Sequence, residues 1–149
     1  MHHTTNQYFT TTGVALTIEV ESWQPERLDE YLALYHLSGI NRPLADSARM
    51  AKLFSGANLT LSARIDGKLV GLARCLTDGA FDCYISDLLV AGELQQQGIG
   101  RLLLQAVADT TGPQVQLLLL SAPTAMGYYP KVGFSAINNA FSVKREQKL

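Results

Sequence analysis

The residues most able to do chemistry sit in one run, Leu88-Leu89-Val90-Ala91-Gly92-Glu93-Leu94-Gln95-Gln96-Gln97-Gly98-Ile99-Gly100-Arg101-Leu102-Leu103-Leu104. An apolar strand breaks there into a Gln/Gly loop that opens directly onto an apolar-periodic helix. Such a junction aims several consecutive backbone N–H groups, and the positive end of a helix dipole, into one small volume. That volume suits a phosphate. Gly98 and Gly100 remove the Cβ atoms that would hold a pyrophosphate off the backbone, and the flanking Gln amides offer donors without charge. The chemistry expected is capture of a phosphorylated cofactor. A dinucleotide fingerprint would need a third glycine where Leu103 stands, and a P-loop would need Gly-Lys-Ser/Thr, which the chain lacks.

A second run, Ala125-Met126-Gly127-Tyr128-Tyr129-Pro130-Lys131-Val132-Gly133-Phe134, lies downstream and pairs two phenols with a basic residue. Gln95-Gln96-Gln97-Gly98-Ile99-Gly100 resembles the acetyl-CoA loop of the GCN5-related N-acetyltransferase (GNAT) superfamily, Gln/Arg-x-x-Gly-x-Gly/Ala, at every defined position. The Ala, Tyr-Tyr and Gly-Phe elements resemble that superfamily's downstream motif.

The resemblance implies an acetyl-CoA-dependent N-acetyltransferase that moves acetyl to a primary amine of a small molecule or amino acid by direct attack. It places Gln95, Gln96, Gln97, Gly98, Ile99, Gly100 and Arg101 at the pyrophosphate. Leu88, Leu89 and Val90 would run beside the pantetheine arm, with Ser121, Tyr128 and Tyr129 also at the cofactor. Tyr129 falls on the family's catalytic tyrosine. A phenol with an ordinary pKa of about 10 stays protonated at neutral pH and can donate to a thiolate whose acid sits near about 8.5. Ala122 stands where many members carry Asn. The family's base positions map to Ser86 and Tyr84, neither a carboxylate nor an imidazole, so a role in positioning water is expected of them. Asp87 is the only carboxylate within that strand, and alternation turns it to the opposite face unless a bulge rotates it. The acceptor end is expected at the connection of the first two helices, where Arg42 could hold a carboxylate, with Asn41 and His36 beside it. The rival reading is a catalytically weak CoA-binding sensor or interaction module, because a cofactor loop does not guarantee turnover.

The elements that must position these residues follow from periodicity. Residues 13–20 alternate as a half-buried strand, after a Thr-rich segment (1–12) expected to be loose. Pro25 starts a helix that Ser38-Gly39 stops, and Pro43 opens a second one closed by Gly56. Strands are expected at 59–65, 69–76 and 83–90 around Asp66-Gly67 and Asp78-Gly79 turns. A helix follows from about Gly98 to Thr110. The apolar run 115–120 reads as a strand buried on both faces, parallel to its predecessor. A short helix at 124–131 and one or two closing strands over 135–144 complete an α/β chain with a mixed, mostly antiparallel sheet. The resemblance adds splayed central parallel strands flanked by helices, in one domain spanning 1–149.

Composition bounds the rest. With 149 residues, 47% hydrophobic and 17% charged, the chain can bury a core, and its net charge of −1 argues against nucleic acid as main partner. Lys144, Arg145 and Lys148 read as a solvated tail. Cys75 and Cys83 match neither a redox nor a zinc spacing and read as reduced core thiols, too far in sequence from the aromatic motif for a Cys-based route; no metal is expected. No apolar run is long enough to span a bilayer, and the start lacks a secretory pattern, so the cytoplasm is the expected compartment. His2-His3 are either native or a cloning remnant. The expected partner is a small-molecule amine, with a homodimer left open.

Overall fold

The computed structural model describes residues 6–147 and 149. Residues His2, His3 and Lys148, on which the sequence made a reading, lie outside these.

Strand β2 (Ala15–Glu21) buries Leu16 and Ile18 as its alternation requires. Its first neighbour corrects the expectation of a loose start: β1 (Asn6–Phe9) pairs antiparallel with it, Asn6 opposite Ile18 and Phe9 opposite Ala15. Thr10 makes the reversal, its Oγ1 accepting from the Val14 N–H at 3.0 Å. Thr10, Thr11 and Thr12, read as part of a loose segment, form the turn between β1 and β2.

Strands β3 (Leu59–Ile65), β4 (Lys68–Thr77) and β5 (Asp82–Val90) form the expected meander. Asp66 and Gly67 carry φ of 49° and 76°, the two positive values that a type I′ hairpin needs. At the second turn the Asp78 carboxylate accepts from the N–H groups of Ala80, Phe81 and Asp82. Helix α1 (Leu28–Ser38) ends on Gly39 in the left-handed region at φ 75°. Helix α2 (Ser47–Gly56) starts four residues after Pro43, because Asp46 caps it by accepting from the Arg49 N–H at 3.0 Å. Pro43 belongs to the preceding turn.

Helices α1 and α2 cover one face of the sheet, packing Tyr31, Leu34, Tyr35, Met50 and Phe54 on Leu69, Leu72 and Leu89. Helix α3 (Ile99–Thr111) covers the other, with Ile99, Leu103 and Val107 against Val70, Ala73 and Ile85. The strand after it, β6 (Gln116–Leu119), returns parallel to β5, giving a six-stranded mixed sheet in the order β1-β2-β3-β4-β5-β6. No helix among the described residues is long and apolar enough to cross a membrane.

Three expectations fail near the C-terminal end. Strand β6 is not buried on both faces: Leu118 is 39% exposed and the following Leu120 68%. It lies at the sheet edge. Residues 135–144 form no closing strand, so nothing within the described chain pairs with that edge. The short helix is instead two 3-10 turns, Pro123–Ala125 and Tyr129–Val132, since Pro123, Gly127 and Pro130 interrupt any longer ladder.

Candidate functional site

Strands β5 and β6 pair only where residues 82–85 face Gln116–Leu119. Beyond Ile85 they part. A bulge sits at the same place: the β4–β5 register jumps from Arg74 opposite Asp87 to Cys75 opposite Ile85, which leaves Ser86 as the extra residue. The bulge reverses the faces, so Ile85 and Cys83 join the α3 side while Leu89 packs on the α1/α2 side, where Asp87 meets Tyr35.

Asp87 is fully buried and its carboxylate is saturated. Oδ2 accepts from Arg74 Nε at 2.7 Å and from the Tyr35 hydroxyl at 2.6 Å, and Oδ1 accepts from Arg42 Nε at 2.8 Å and from Arg42 Nη2. Burial alone would raise the Asp87 pKa, but the Arg74 hydrogen bond and charge, the Tyr35 hydroxyl and the Arg42 charge together hold it below the usual carboxylate range. Burial, then the neighbouring carboxylate, push the Tyr35 phenol up. Arg74 also donates to Ser86 Oγ at 2.7 Å, and Arg42 to the Ser86 carbonyl at 2.9 Å and to the Asn41 carbonyl at 2.6 Å. The two guanidiniums therefore grip the bulge from both sides. Asp87 therefore serves as a structural hydrogen bonder, and the bulge rather than plain alternation sets its face, turning it to the α1/α2 side away from Ile85. Arg74 and Tyr35 were missed; a lone Arg within the apolar Leu69-to-Cys75 run, four residues from the turn that brings β5 back, is the signal that could have found them.

The cradle forms where Ala91 leaves β5. After a 3-10 turn at Gly92–Leu94, Gln96 and Gly98 take φ of 64° and 85°, and α3 begins. Among the described residues the N–H groups of Gln96 through Arg101 find no protein acceptor, the condition for holding an anion. Gly100 is open for the reason its position suggests: a Cβ there would lie 3.1 Å from the Tyr128 hydroxyl. Ile99 offers only its N–H, its side chain being buried as the anchor of α3. Two of the three glutamines work on the protein rather than in the cradle. The Gln95 amide donates to the carbonyls of Val90 at 3.0 Å and Ser38 at 3.3 Å, and Gln97 Oε1 accepts from Thr12 Oγ1 at 3.2 Å while its carbonyl accepts the Thr11 N–H at 3.0 Å. The β1–β2 turn thus braces the loop.

Cradle and split share one cleft of about 560 Å³, lined by Leu88, Leu89 and Val90 from β5, by Gln95, Gln96, Gly98, Ile99, Gly100 and Arg101, and by Tyr128 and Tyr129. Ser38, Gly39 and Ile40 form its rim from the α1 end, and Ala122, Thr124 and Ala125 the opposite one. Tyr129 is half-buried, edge-on to Tyr128 and Phe134 with ring centroids 5.2 and 5.7 Å away. Burial, then the neighbouring Tyr128, raise its pKa.

The other expected residues are not in this cleft. Tyr84 and Ser121 line a second groove beside β6 that meets Tyr129 from its far side. The Ser86 hydroxyl accepts from Arg74, and the Ser121 hydroxyl donates to the Ala122 carbonyl at 2.8 Å. Asn41 and His36 are exposed, and Arg42 is spent on Asp87 and two carbonyls rather than free for a substrate carboxylate. Among the described residues no carboxylate or imidazole lines the cleft.

The acetyltransferase (GNAT) domain family matches residues 38–145. A serotonin N-acetyltransferase 2, chloroplastic, from Oryza sativa subsp. japonica is 35% identical over 71 residues, 46% of this chain and 36% of that protein. The uncharacterized N-acetyltransferase ycf52 of Pyropia yezoensis is 28% identical over 99 residues, 64% of this chain and 56% of that one. The chain thus spans between about a third and just over half the length of the curated relatives it matches. Among solved structures, a GNAT-family acetyltransferase of Streptococcus pneumoniae TIGR4 superposes with a TM-score of 0.66 at 25% identity, covering 88% of this chain and 99% of that one.

Proposed function

Since the chain belongs to the GNAT acetyltransferase family, we propose that it transfers acetyl from acetyl-CoA to a primary amine of a small molecule by direct attack. The observation that carries this reading is the coincidence of two features at one cleft: a row of six N–H groups without acceptors, and two strands that part beside a half-buried phenol. The residues present fit the cofactor. Gly100 leaves a cradle that a Cβ would fill, and because β6 pairs with β5 no further than Ile85, residues 88–90 have no strand on that side and leave room for an extended amide-bearing arm. Bound there, acetyl-CoA supplies the activated thioester.

The chain's own part is to bind, orient and hold a proton. N–H groups of residues 96–101 and the start of α3 take the diphosphate, with Arg101 beside them. Gln95 positions rather than binds, tying the loop to the end of β5 and to the α1 terminus. Tyr129, kept protonated by burial, holds a proton at its hydroxyl for the departing sulfur. Tyr84 and Ser86 remain candidates for ordering water, Ser86 through the arginine that grips it. The amine enters past Ser38, Gly39 and Ile40; the name of the rice relative, a serotonin N-acetyltransferase, supports a small amine as acceptor. Two free, buried cysteines suit a reducing compartment such as the cytoplasm.

That no carboxylate or imidazole among the described residues lines the cleft favours a second reading, a CoA-binding sensor with little turnover. One variant separates the two. Tyr129→Phe keeps the ring and removes the hydroxyl, so CoA affinity should stay near wild type while single-turnover acetylation of the best amine falls about 100-fold. Transfer at the wild-type rate would remove Tyr129 from the chemistry, and tight CoA binding by a wild type that acetylates no amine in a broad panel would favour the sensor.

A further inference from the structure

Gln96 is the strained residue of the cradle. It carries a Cβ yet takes φ of 64°, in the left-handed region that residues other than glycine disfavour. Its neighbours are fixed on both sides. Gln95 is tied by its side-chain amide to the carbonyls of Val90 and Ser38, and its N–H donates to the Gly92 carbonyl at 3.3 Å. Gln97 is tied to the turn between β1 and β2 by two bonds: its carbonyl accepts from the Thr11 N–H at 3.0 Å, and its Oε1 accepts from Thr12 Oγ1 at 3.2 Å. The Thr11 methyl also reaches the loop, standing 3.4 Å from where a Cβ on Gly98 would lie.

The turn keeps its shape by bonds of its own. The Gly13 N–H donates to the Thr10 carbonyl at 3.0 Å, which closes a four-residue turn with Thr11 and Thr12 at its centre, and Gly13 follows at φ of 85°. The Thr10 N–H donates to the Val14 carbonyl at 2.9 Å. Buried Thr10 also accepts from the Val14 N–H and shares a 3.0 Å hydrogen bond between its hydroxyl and that of Thr12. A self-supporting turn is thus bonded to a strained loop. It lies outside the matched GNAT domain, which begins at residue 38.

We propose that this turn is a clamp on the cofactor loop, with Thr11 and Thr12 as positioning residues that hold Gln97 and so keep Gln96 left-handed. Resting on the reading of residues 96–101 as the diphosphate site of CoA, the clamp explains how that row of N–H groups is set before the cofactor arrives. Neither threonine lines the cleft, so each acts through the loop. Released from the turn, Gln96 would spend most of its time in right-handed or extended conformations, and affinity falls in proportion to the population of the competent form.

Calorimetric titration with CoA tests the clamp. Thr11 holds the first central position of its turn, where proline is favoured, so Thr11→Pro keeps the turn and deletes the N–H that the Gln97 carbonyl accepts. It should raise the CoA dissociation constant about 10-fold while the free protein melts near the wild-type temperature. Thr11→Val keeps the N–H and a methyl and should bind as the wild type does. Thr12→Val loses the side-chain bond and should weaken binding about threefold, and Thr12→Ser should restore it. Gln96→Gly separates a clamp from a turn that merely supports the fold. Glycine takes the left-handed conformation without strain, so Thr11→Pro should cost at most about threefold in that background. Equal losses in the two backgrounds overturn the clamp, as does wild-type affinity in Thr11→Pro or a Thr12→Ser no better than Thr12→Val. A wild type that binds no CoA overturns the cofactor reading instead, and the clamp falls with it.

Discussion

Asp87 is one carboxylate held by two guanidiniums and a phenol, and removing its charge leaves two cations facing each other beside an uncharged group. Breaking a buried pair in this way costs about 3–5 kcal/mol, so Asp87→Asn should unfold at clearly lower urea than the wild type at pH 7. The pH dependence has a definite sign. Because the folded pKa lies below the unfolded value of about 3.9, the carboxylate's contribution is complete above that value. It drains away as pH falls through the folded pKa. The gap between wild type and Asp87→Asn should therefore be widest near neutrality and narrow below about pH 4. A gap that stays constant down to pH 2.5 would show that the charge contributes nothing. Arg42→Ala should be milder, since Arg42 is partly exposed and Asp87 keeps Arg74 and Tyr35. At this scale the sequence made Asp87 visible as a lone carboxylate in a strand, and it made Gly98, Gly100 and Tyr129 visible through their spacing. The partners of Asp87 were invisible because they arrive from α1, from the turn before α2 and from β4, and only the register of the bulge says which face they share. Arg42 misled for a related reason: a guanidinium in a loop looks free until the carboxylate 45 residues away is known to lie under it.

Among the elements, α3 decides where the cradle sits, and two glycines show how. At Gly71 on β4 a Cβ would lie 3.1 Å from Leu103, 3.2 Å from Ile99 and 3.3 Å from Ala63, closer than carbon contacts settle, and on three sides at once. Gly71→Ala should cost about 1–3 kcal/mol as an overpacked core and weaken CoA binding, since the first turn of α3 must move. At Gly100 the same methyl comes close only to the hydroxyl end of the Tyr128 side chain, at 3.1 Å, with Leu88 at an ordinary 3.9 Å. In a helix Ala is favoured over Gly by about 1 kcal/mol, so Gly100→Ala should melt at or slightly above the wild-type temperature and still bind CoA more weakly. Calorimetry on both variants separates a helix that has shifted from a cradle that has been filled. Elements with local punctuation were legible: the type I′ turn at Asp66-Gly67, the Gly39 stop and the junction into α3 all stand where their residues put them. Those whose state depends on a distant partner were not. Asn6–Phe9, inside a segment read as loose, becomes β1 because β2 offers it an edge, and residues 135–144, read as closing strands, have no neighbour within the described chain to make them so.

For the whole molecule the consequence of this architecture is that one ligand would tie together parts that otherwise have little to hold them. The cleft is bounded by β5, by the start of α3 and by the turns after β6, and the strands that flank it share only four paired positions. A ligand binding only the folded state stabilises it by about 2.7 kcal/mol at a hundredfold excess over Kd. For a chain of this size that is a rise in melting temperature of about 5–10 °C. CoA should produce it. NAD carries a diphosphate too, but the close helix–strand packing of a dinucleotide site needs a third glycine, and Leu103 is there instead, wedged toward Gly71. NAD should therefore shift the melting temperature by less than a fifth as much at equal concentration. A free diphosphate should fall between, gaining the N–H row but not the split between the strands. Equal shifts for CoA and NAD would mean that the row of N–H groups alone does the binding, and that the parting of β5 from β6 has no share in choosing the ligand.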